Sequence, residues 1–155
     1  MKRLGLFLLG CICLCASADE PRFEGDPAAA RAVWSTFQRW QGAYEKADLD
    51  GAMAIFDPGV VFIFQGGPDQ GYEDLRKGYV QDFRSRAPGS SWVALVDEVY
   101  SDGKLAFMRA TWELHVKDKD GATRVAERNR SVDILRLDDG KWHIIRSFNF
   151  PEKRP

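Results

Sequence analysis

Between residues 26 and 86 the apolar positions recur with the period of helices. Asp26-Pro27 is typical of a helix start, because aspartate caps the first turn and proline needs no hydrogen-bond donor there. The apolar residues that follow, up to about Ala47, share one helix face: Val33, Phe37, Trp40 and Tyr44. A short helix is predicted from Asp48 until Pro58-Gly59 stops it, then a β-rich segment at 60–65 and a third helix at about 72–84.

After residue 90 the alternation of apolar and polar positions becomes that of β-strands. The pattern predicts four strands, Trp92–Tyr100, Leu105–Val116, Thr123–Leu137 and Trp142–Phe150. Each of the three connections contains Asp-Gly, the strongest short hairpin signal. The strands are therefore expected to form an antiparallel meander.

This order predicts an α+β fold in which a cone-shaped, curved antiparallel sheet wraps around three N-terminal helices. The domain is expected to span residues 26–150, after a flexible leader at 19–25 and before a C-terminal tail at 151–155. A cone of this kind leaves a cavity at its open end, which favours a small-molecule ligand. The alternative is a cone that side chains fill completely.

Composition narrows the class of protein. Of the 155 residues 45% are hydrophobic and 29% are charged, which is too apolar for a disordered chain and too charged for an integral membrane protein. The 22 basic and 23 acidic residues give a net charge of −1, so we expect no nucleic-acid partner.

The N-terminus has the parts of a secretory signal peptide. A basic start, Met1-Lys2-Arg3, leads into an apolar run from Leu4 to Leu14 and an Ala16-Ser17-Ala18 cleavage pattern. Residues 1–18 are therefore predicted to direct export to the periplasm or the medium and to be cleaved after Ala18, with no stable membrane insertion afterwards.

An alternative N-terminal processing is lipidation at Cys11, as in a bacterial lipoprotein. It is less favoured because it would leave an apolar region of only Leu4 to Gly10. All three cysteines, Cys11, Cys13 and Cys15, lie within residues 1–18, so cleavage after Ala18 would leave a chain that can form no disulfide.

Several stretches of the sequence resemble the SnoaL-like families of the nuclear transport factor 2-like superfamily, which includes ketosteroid isomerase: Asp48–Phe56, Val60–Ile63, Gly71–Leu75, Arg130–Leu135 and Asp139–Ile144. The resemblance implies the same cone fold and a homodimer that associates through the outer sheet face. It leaves the activity open, because this superfamily holds isomerases, cyclases, dehydratases and epoxide hydrolases beside members that only bind or assemble.

Two activities of the resembling families are not expected here. Where ketosteroid isomerase has its aspartate base this chain has Phe64, and where it has a tyrosine as oxyanion donor this chain has Trp40. The epoxide hydrolases need Arg-x-Asp on a sheet strand, and Arg128-Asn129-Arg130 does not supply it.

Aromatic residues and two arginines are the candidate ligand-binding side chains. The fold can bring six aromatic residues to the cavity wall, although for any single one of them a place in the core is the favoured alternative: Trp40, Tyr44, Phe62, Phe64, Trp92 and Trp112. Val132 and Ile134 are taken as the inward pair of their strand, which places Arg128 and Arg130 on the same face. These arginines would bind a mildly anionic ligand or, in the alternative, extend into solvent.

The same strand alternation places the candidate general bases Glu113 and Asp133 on the outer face, so the cavity is expected to lack a proton acceptor. The last strand cannot be oriented, which leaves Ser147 and Asn149 either in the cavity or on the surface. Neither a metal site nor a cofactor is expected, since the mature chain has no cysteine and no His-x-x-x-His spacing.

Three functions remain open at this point. The first is an exported domain that binds a small apolar or mildly anionic molecule. The second is a cofactor-independent isomerase or cyclase, with Arg128 or Arg130 stabilising an oxyanion and Asp133 or Glu113 as base. The third is a dimerisation module without a ligand. The residues lining the largest cavity discriminate among them.

Overall fold

The computed structural model describes residues 20–152, which form three helices packed on one curved, unclosed six-stranded sheet. The fold is therefore the α+β cone that the sequence predicts. In chain order the elements are β1 (Arg22–Gly25), α1 (Pro27–Glu45), α2 (Leu49–Met53), β2 (Phe56–Phe64), α3 (Tyr72–Ser85), β3 (Ser91–Ser101), β4 (Leu105–Lys117), β5 (Thr123–Asp138) and β6 (Lys141–Pro151).

Helix α1 is the longest of the three helices and packs against the sheet. The Asp26 carboxylate caps it by accepting hydrogen bonds from the amides of Ala28 (2.9 Å) and Ala29 (3.1 Å). Its buried side chains are those of the predicted stripe together with Ala30. Burying this stripe against the sheet removes large aromatic surfaces from water, which stabilises the fold.

The sheet has the strand order β1-β3-β4-β5-β6-β2. Strands β3 to β6 form the predicted antiparallel meander, and β1 and β2 close its two edges by pairing in parallel with β3 and β6. The turn between β5 and β6 consists of Asp139 and Gly140, both with positive φ (45° and 74°), as a two-residue type I′ hairpin requires.

Two local predictions are wrong. The leader predicted as flexible contains β1, whose Arg22–Gly25 backbone pairs with Glu98–Ser101. The second helix ends at Met53 rather than at Pro58-Gly59, because Phe56 already enters β2 and pairs with Ile144. Pro58 and Gly59 instead lie in a bulge of β2, between the paired residues Phe56 and Val61.

A second bulge sets the orientation of β6. Arg146 pairs with Ile134 and Ile144 pairs with Leu135, so Ile145 is the extra residue. The bulge changes which residues face inward: Ile144 is buried before it, and Ser147 and Asn149 are buried after it. Because the alternation of inward and outward residues shifts at Ile145, the sequence pattern alone does not define which face of this strand is the inner one.

The signal peptide at 1–18, lipidation at Cys11 and the last residues of the C-terminal tail lie outside the described residues. Within residues 20–152 the longest helix is not apolar enough, and the others are too short, to cross a membrane.

Candidate functional site

A cavity of about 280 Å³ lies between α1, α3 and the inner face of the sheet. Its size is near the lower end of the usual range for ligand cavities, roughly 300–1,000 Å³, so it suits a small molecule. Nine of its nineteen lining residues are aromatic, and they include all six aromatic candidates: Trp40, Tyr44, Phe62, Phe64, Trp92 and Trp112. Whether these residues bind a ligand stays a prediction.

The carboxyl group of Asp133 lies at the floor of this cavity, with only 2% of the residue exposed. Two serine hydroxyls donate to it, Ser131 Oγ to Oδ2 at 2.9 Å and Ser147 Oγ to Oδ1 at 2.5 Å. Strand pairing builds this arrangement, because Asp133 is the direct neighbour of Ser147 across β5 and β6. The group is a buried proton acceptor that faces an apolar space.

Further polar side chains extend the hydrogen-bond network around Asp133. Trp112 Nε1 donates to Ser131 Oγ (2.9 Å), and Asn149 Nδ2 donates to Ser147 Oγ (3.0 Å). Each serine can therefore accept one hydrogen bond and still donate its own proton to the carboxylate. The network fixes the position of Asp133 without bringing a positive charge to it.

Burial dominates the electrostatics of Asp133. Loss of hydration raises the pKa of its carboxyl from 3.8 to about 6, and the hydrogen bonds from Ser147 and Ser131 only partly oppose this shift. Of the side chains of residues 20–152 that line the cavity, none belongs to a lysine, arginine or histidine. A carboxyl with this pKa can gain and lose a proton near neutral pH.

This pKa shift predicts how stability depends on pH. Between about pH 4 and pH 6 the folded chain holds the Asp133 proton that the unfolded chain has released, so the free energy of unfolding falls as pH rises. Between pH 4 and pH 7 the free energy of unfolding of the wild type should fall by about 3 kcal/mol relative to that of Asp133→Asn. This figure is the pKa shift multiplied by 1.36 kcal/mol per pKa unit. Urea unfolding of both proteins at pH 4, 5, 6 and 7 measures the difference; a constant difference would contradict the shift.

Tyr79 of α3 provides a hydroxyl on the helical side of the cavity. It accepts a hydrogen bond from Trp40 Nε1 at 3.1 Å, which leaves its own proton available for a ligand. Burial is the largest cause that raises the pKa of the Tyr79 hydroxyl, and the negative charges of Asp133 and Asp82 act in the same direction. Tyr79 therefore stays protonated and can act as a hydrogen-bond donor.

The more exposed end of the cavity is formed where α1 and α3 end. Asp82 lines the cavity here, and its side chain is 35% exposed. Tyr44 Oη donates to Asp82 Oδ2 (2.7 Å), and Arg86 Nη2 donates to the same oxygen (2.8 Å). The Arg86 guanidinium lies over the Tyr44 ring, 4.2 Å from its centroid.

The arginine candidates lie elsewhere. Arg128 pairs with Glu113 on the outer sheet face, with Nε–Oε1 at 3.0 Å, and Arg130 lies 3.9 Å from Glu152. The prediction that Arg128 and Arg130 face the interior is wrong, because Val132 and Ile134 belong to the outer face. Neither arginine reaches the cavity, so the argument for an anionic ligand, which depended on them, is wrong as well.

The two carboxylates proposed as bases are separated by the sheet. Glu113 is on the outer face as predicted, where hydrogen bonds from His115 and Arg128 lower the pKa of its carboxyl. Asp133 lies inside, so the prediction of a cavity without a proton acceptor is wrong. Residues 20–152 contain no cluster of three metal-ligating side chains.

Sequence reasoning missed the inner face of β5 because that face carries polar residues. Asn129, Ser131 and Asp133 alternate along the strand, and each lies toward the cavity side. Ser147 and Asn149 continue the same polar run on β6. The site could have been located from a pattern shared by β5 and β6: both strands carry a polar residue at every second position, and these positions are neighbours across the two strands.

Comparison with known proteins identifies the family of this chain. The family model described as SnoaL-like domain matches residues 37–144, which is more than half of the chain. The chain belongs to the SnoaL-like domain family. The match covers the second part of α1, from Phe37 on, and every cavity-lining residue except Ser147 and Asn149, so Asp133 and most of the site lie in the part of the chain that matches the family model. Comparison with curated protein sequences gives no match.

Solved structures confirm the fold of this SnoaL-like chain. A ketosteroid isomerase-like protein from Erwinia carotovora atroseptica has a TM-score of 0.61 at 19% identity, covering 81% of this chain and 97% of its own. A nuclear transport factor 2-like protein with a cystatin-like fold, from Novosphingobium aromaticivorans, has a TM-score of 0.68 at 12% identity, covering 79% and 80%. At these identities the likeness shows the fold alone.

Proposed function

We propose that this SnoaL-like protein is a cofactor-independent enzyme that transfers a proton on a small, mainly apolar molecule, as isomerases and cyclases do. Asp133 is the general acid–base. The observation that supports this most strongly is the Asp133 carboxyl at the floor of an aromatic cavity, held only by neutral hydrogen-bond donors. A binding domain would have no need to keep an unpaired carboxyl there, since its burial costs stability.

The proposed step moves one proton and makes no covalent bond to the protein. Asp133 removes a proton from the carbon beside a carbonyl group, and the electron pair becomes the enolate. Tyr79 donates a hydrogen bond to the enolate oxygen, which stabilises the negative charge that develops there. Asp133 then returns its proton to the same carbon or to a conjugated one, so the product is an isomer or an exchanged substrate.

Deuterium exchange tests the proposal without knowledge of the natural substrate. The probe is 2-tetralone, a two-ring ketone with acidic protons beside its carbonyl. In deuterated buffer the wild type should exchange these protons faster than acetate at the same carboxylate concentration, with saturation at high ketone concentration. NMR measures the loss of the proton signal. Exchange no faster than with acetate, for both 2-tetralone and 2-indanone, would overturn the proposal.

We also propose that residues 1–18 direct export and are removed after Ala18, on the basis of their basic, apolar and Ala-x-Ala parts. N-terminal sequencing of the protein from the periplasm or medium of the expressing bacterium should begin at Asp19. A chain that begins at Met1 or at a lipidated Cys11 would contradict this.

A homodimer through the outer sheet face is the third part of the proposal. That face exposes large apolar side chains on its two sides, with Leu95 of β3 at 41% and Phe150 of β6 at 48% exposure, and the strand register places Thr111 and Arg130 between them. Burial of this face between two copies would remove the apolar surface from water. Sedimentation equilibrium should give twice the chain mass; a monomer at high concentration would contradict it.

A further inference from the structure

The charged side chains that line the cavity are all acidic. Asp133 lies at its floor and Asp82 at its more exposed end, and no basic residue of the described chain, 20–152, is among the lining residues. An anionic ligand would therefore meet two carboxylates, of which Asp82 is paired from outside the cavity by Arg86 and Asp133 has no basic partner within residues 20–152, whereas a cationic ligand would be attracted.

The exposed end of the cavity has the parts of a cation site. Within residues 20–152 both hydrogen bonds to the Asp82 carboxylate reach Oδ2, so Oδ1 is open to a ligand. Asp82 lies in the last turn of α3 and Tyr44 in the last turn of α1, so two helix C-termini meet here. The negative ends of both helix dipoles favour a positive charge at this position.

Aromatic rings surround the same space and add attraction for a cation. Trp40 stacks between Phe37 and Tyr44, and Arg86 lies over Tyr44, whereas Trp92 lines the same cavity and within residues 20–152 has no ring or guanidinium stacked on it. The faces of such rings carry negative potential and attract ammonium groups, tryptophan most strongly. An apolar cavity that held a neutral ligand alone would gain nothing from a carboxylate at its entrance.

Arg86 does not fill this site. Its guanidinium binds Asp82 Oδ2 from the far side of the Tyr44 ring and also lies over Phe83, 5.0 Å from the ring centroid. It is not among the residues that line the cavity. It reduces the charge of Asp82 without occupying the space beside Oδ1.

We propose that the ligand of this cavity carries a protonated amine on an apolar ring skeleton, with the ammonium group beside Asp82 and the reacting carbon beside Asp133. The inference rests on the proposed function for the reacting carbon, but the preference for a cation is a separate property. Asp133, Tyr79 and Asp82 all line this one cavity, so one small molecule can contact both ends of the site.

The affinity for such a cation should depend on pH through Asp133. The groups that face Asp133 are the hydroxyls of Ser131 and Ser147 on the sheet and Tyr79 on α3; the charges of Asp82 and Arg86 lie at the other end. A bound ammonium group favours the ionised carboxylate and lowers its pKa. Cation binding should therefore tighten as pH rises through about 6, and anion binding should weaken.

The experiment compares three tetralin derivatives that differ in charge: 2-aminotetralin, 2-tetralol and tetralin-2-carboxylate. Their dissociation constants are measured at pH 7.5 by calorimetry and by quenching of tryptophan fluorescence. The amine should bind the wild type about tenfold more tightly than the alcohol, and the carboxylate should bind most weakly. Asp82→Asn should reduce the amine-to-alcohol preference to less than about threefold.

A matched control removes an acid elsewhere on the same helix. Glu73 is exposed at the start of α3 and does not line the cavity, so Glu73→Gln should keep the preference for the amine. Equal affinities of the wild type for amine and alcohol would overturn the inference, as would an equal loss of preference in both variants. If the protein exchanges the protons of 2-tetralone but shows no charge preference, this inference fails and the proposed function stands. If it prefers the amine but exchanges no protons, the proposed function fails and the cation site stands.

Discussion

Replacing Asp133 with asparagine should reduce the exchange rate of 2-tetralone about a thousandfold, within the usual range for loss of a general base. Asparagine has nearly the same shape: its Oδ1 can accept the hydrogen bond of one of the two serines, Ser131 or Ser147, and its Nδ2 can donate to the hydroxyl of the other. It cannot take up a proton. The fold should remain, and the variant should unfold at higher urea concentration than the wild type at pH 7, because the cost of a buried charge is removed.

The matched control for this variant is Asp97→Asn on β3. Asp97 is 39% exposed and pairs with Arg109 on the outer face, 3.3 Å away, so its charge does not reach the cavity. Its exchange rate should equal that of the wild type. A rate for Asp133→Asn within about tenfold of the wild type would show that another group moves the proton.

Leu135→Ala should have the largest effect on stability. Leu135 is fully buried on the inner face of β5. The shortened side chain would leave an empty space, because the closely packed neighbouring side chains cannot move far enough to fill it. We expect a loss of about 2–5 kcal/mol in the free energy of unfolding. Urea denaturation monitored by tryptophan fluorescence measures it.

Leu137 provides the comparison, because it lies on the same face of the same strand but is 37% exposed. Leu137→Ala should cost less than about 1 kcal/mol. Equal losses in the free energy of unfolding for Leu135→Ala and Leu137→Ala would contradict the burial of Leu135 in the core.

The fold is predictable from the sequence because its signals are local and repeated. Asp-Gly pairs at the three hairpins and the spacing of Val33, Phe37, Trp40 and Tyr44 each point to one structure. Strand β1 escapes prediction because Arg22-Phe23-Glu24-Gly25 is short and polar, and only its pairing with β3 makes it a strand. Tertiary contacts of this kind leave no pattern in the segment itself.

The candidate site is only half predictable, for a physical reason in β5. Hydrophobic residues are assigned to the inner face on the assumption that the interior is apolar, but Val132 and Ile134 face outward and Asp133 faces inward. A functional site is where a buried polar group breaks this rule. The aromatic wall follows the rule, so all six aromatic candidates are placed correctly at the cavity while both arginines are not.

The proposed function depends on Asp133 being a titrating carboxyl at the floor of an apolar cavity. The most direct test is a carbon NMR titration of the aspartate carboxyl groups, with the Asp133 signal assigned by its absence in Asp133→Asn. Our account predicts a midpoint at about pH 6. A midpoint near 4, the value of an ordinary hydrated aspartate, would contradict it.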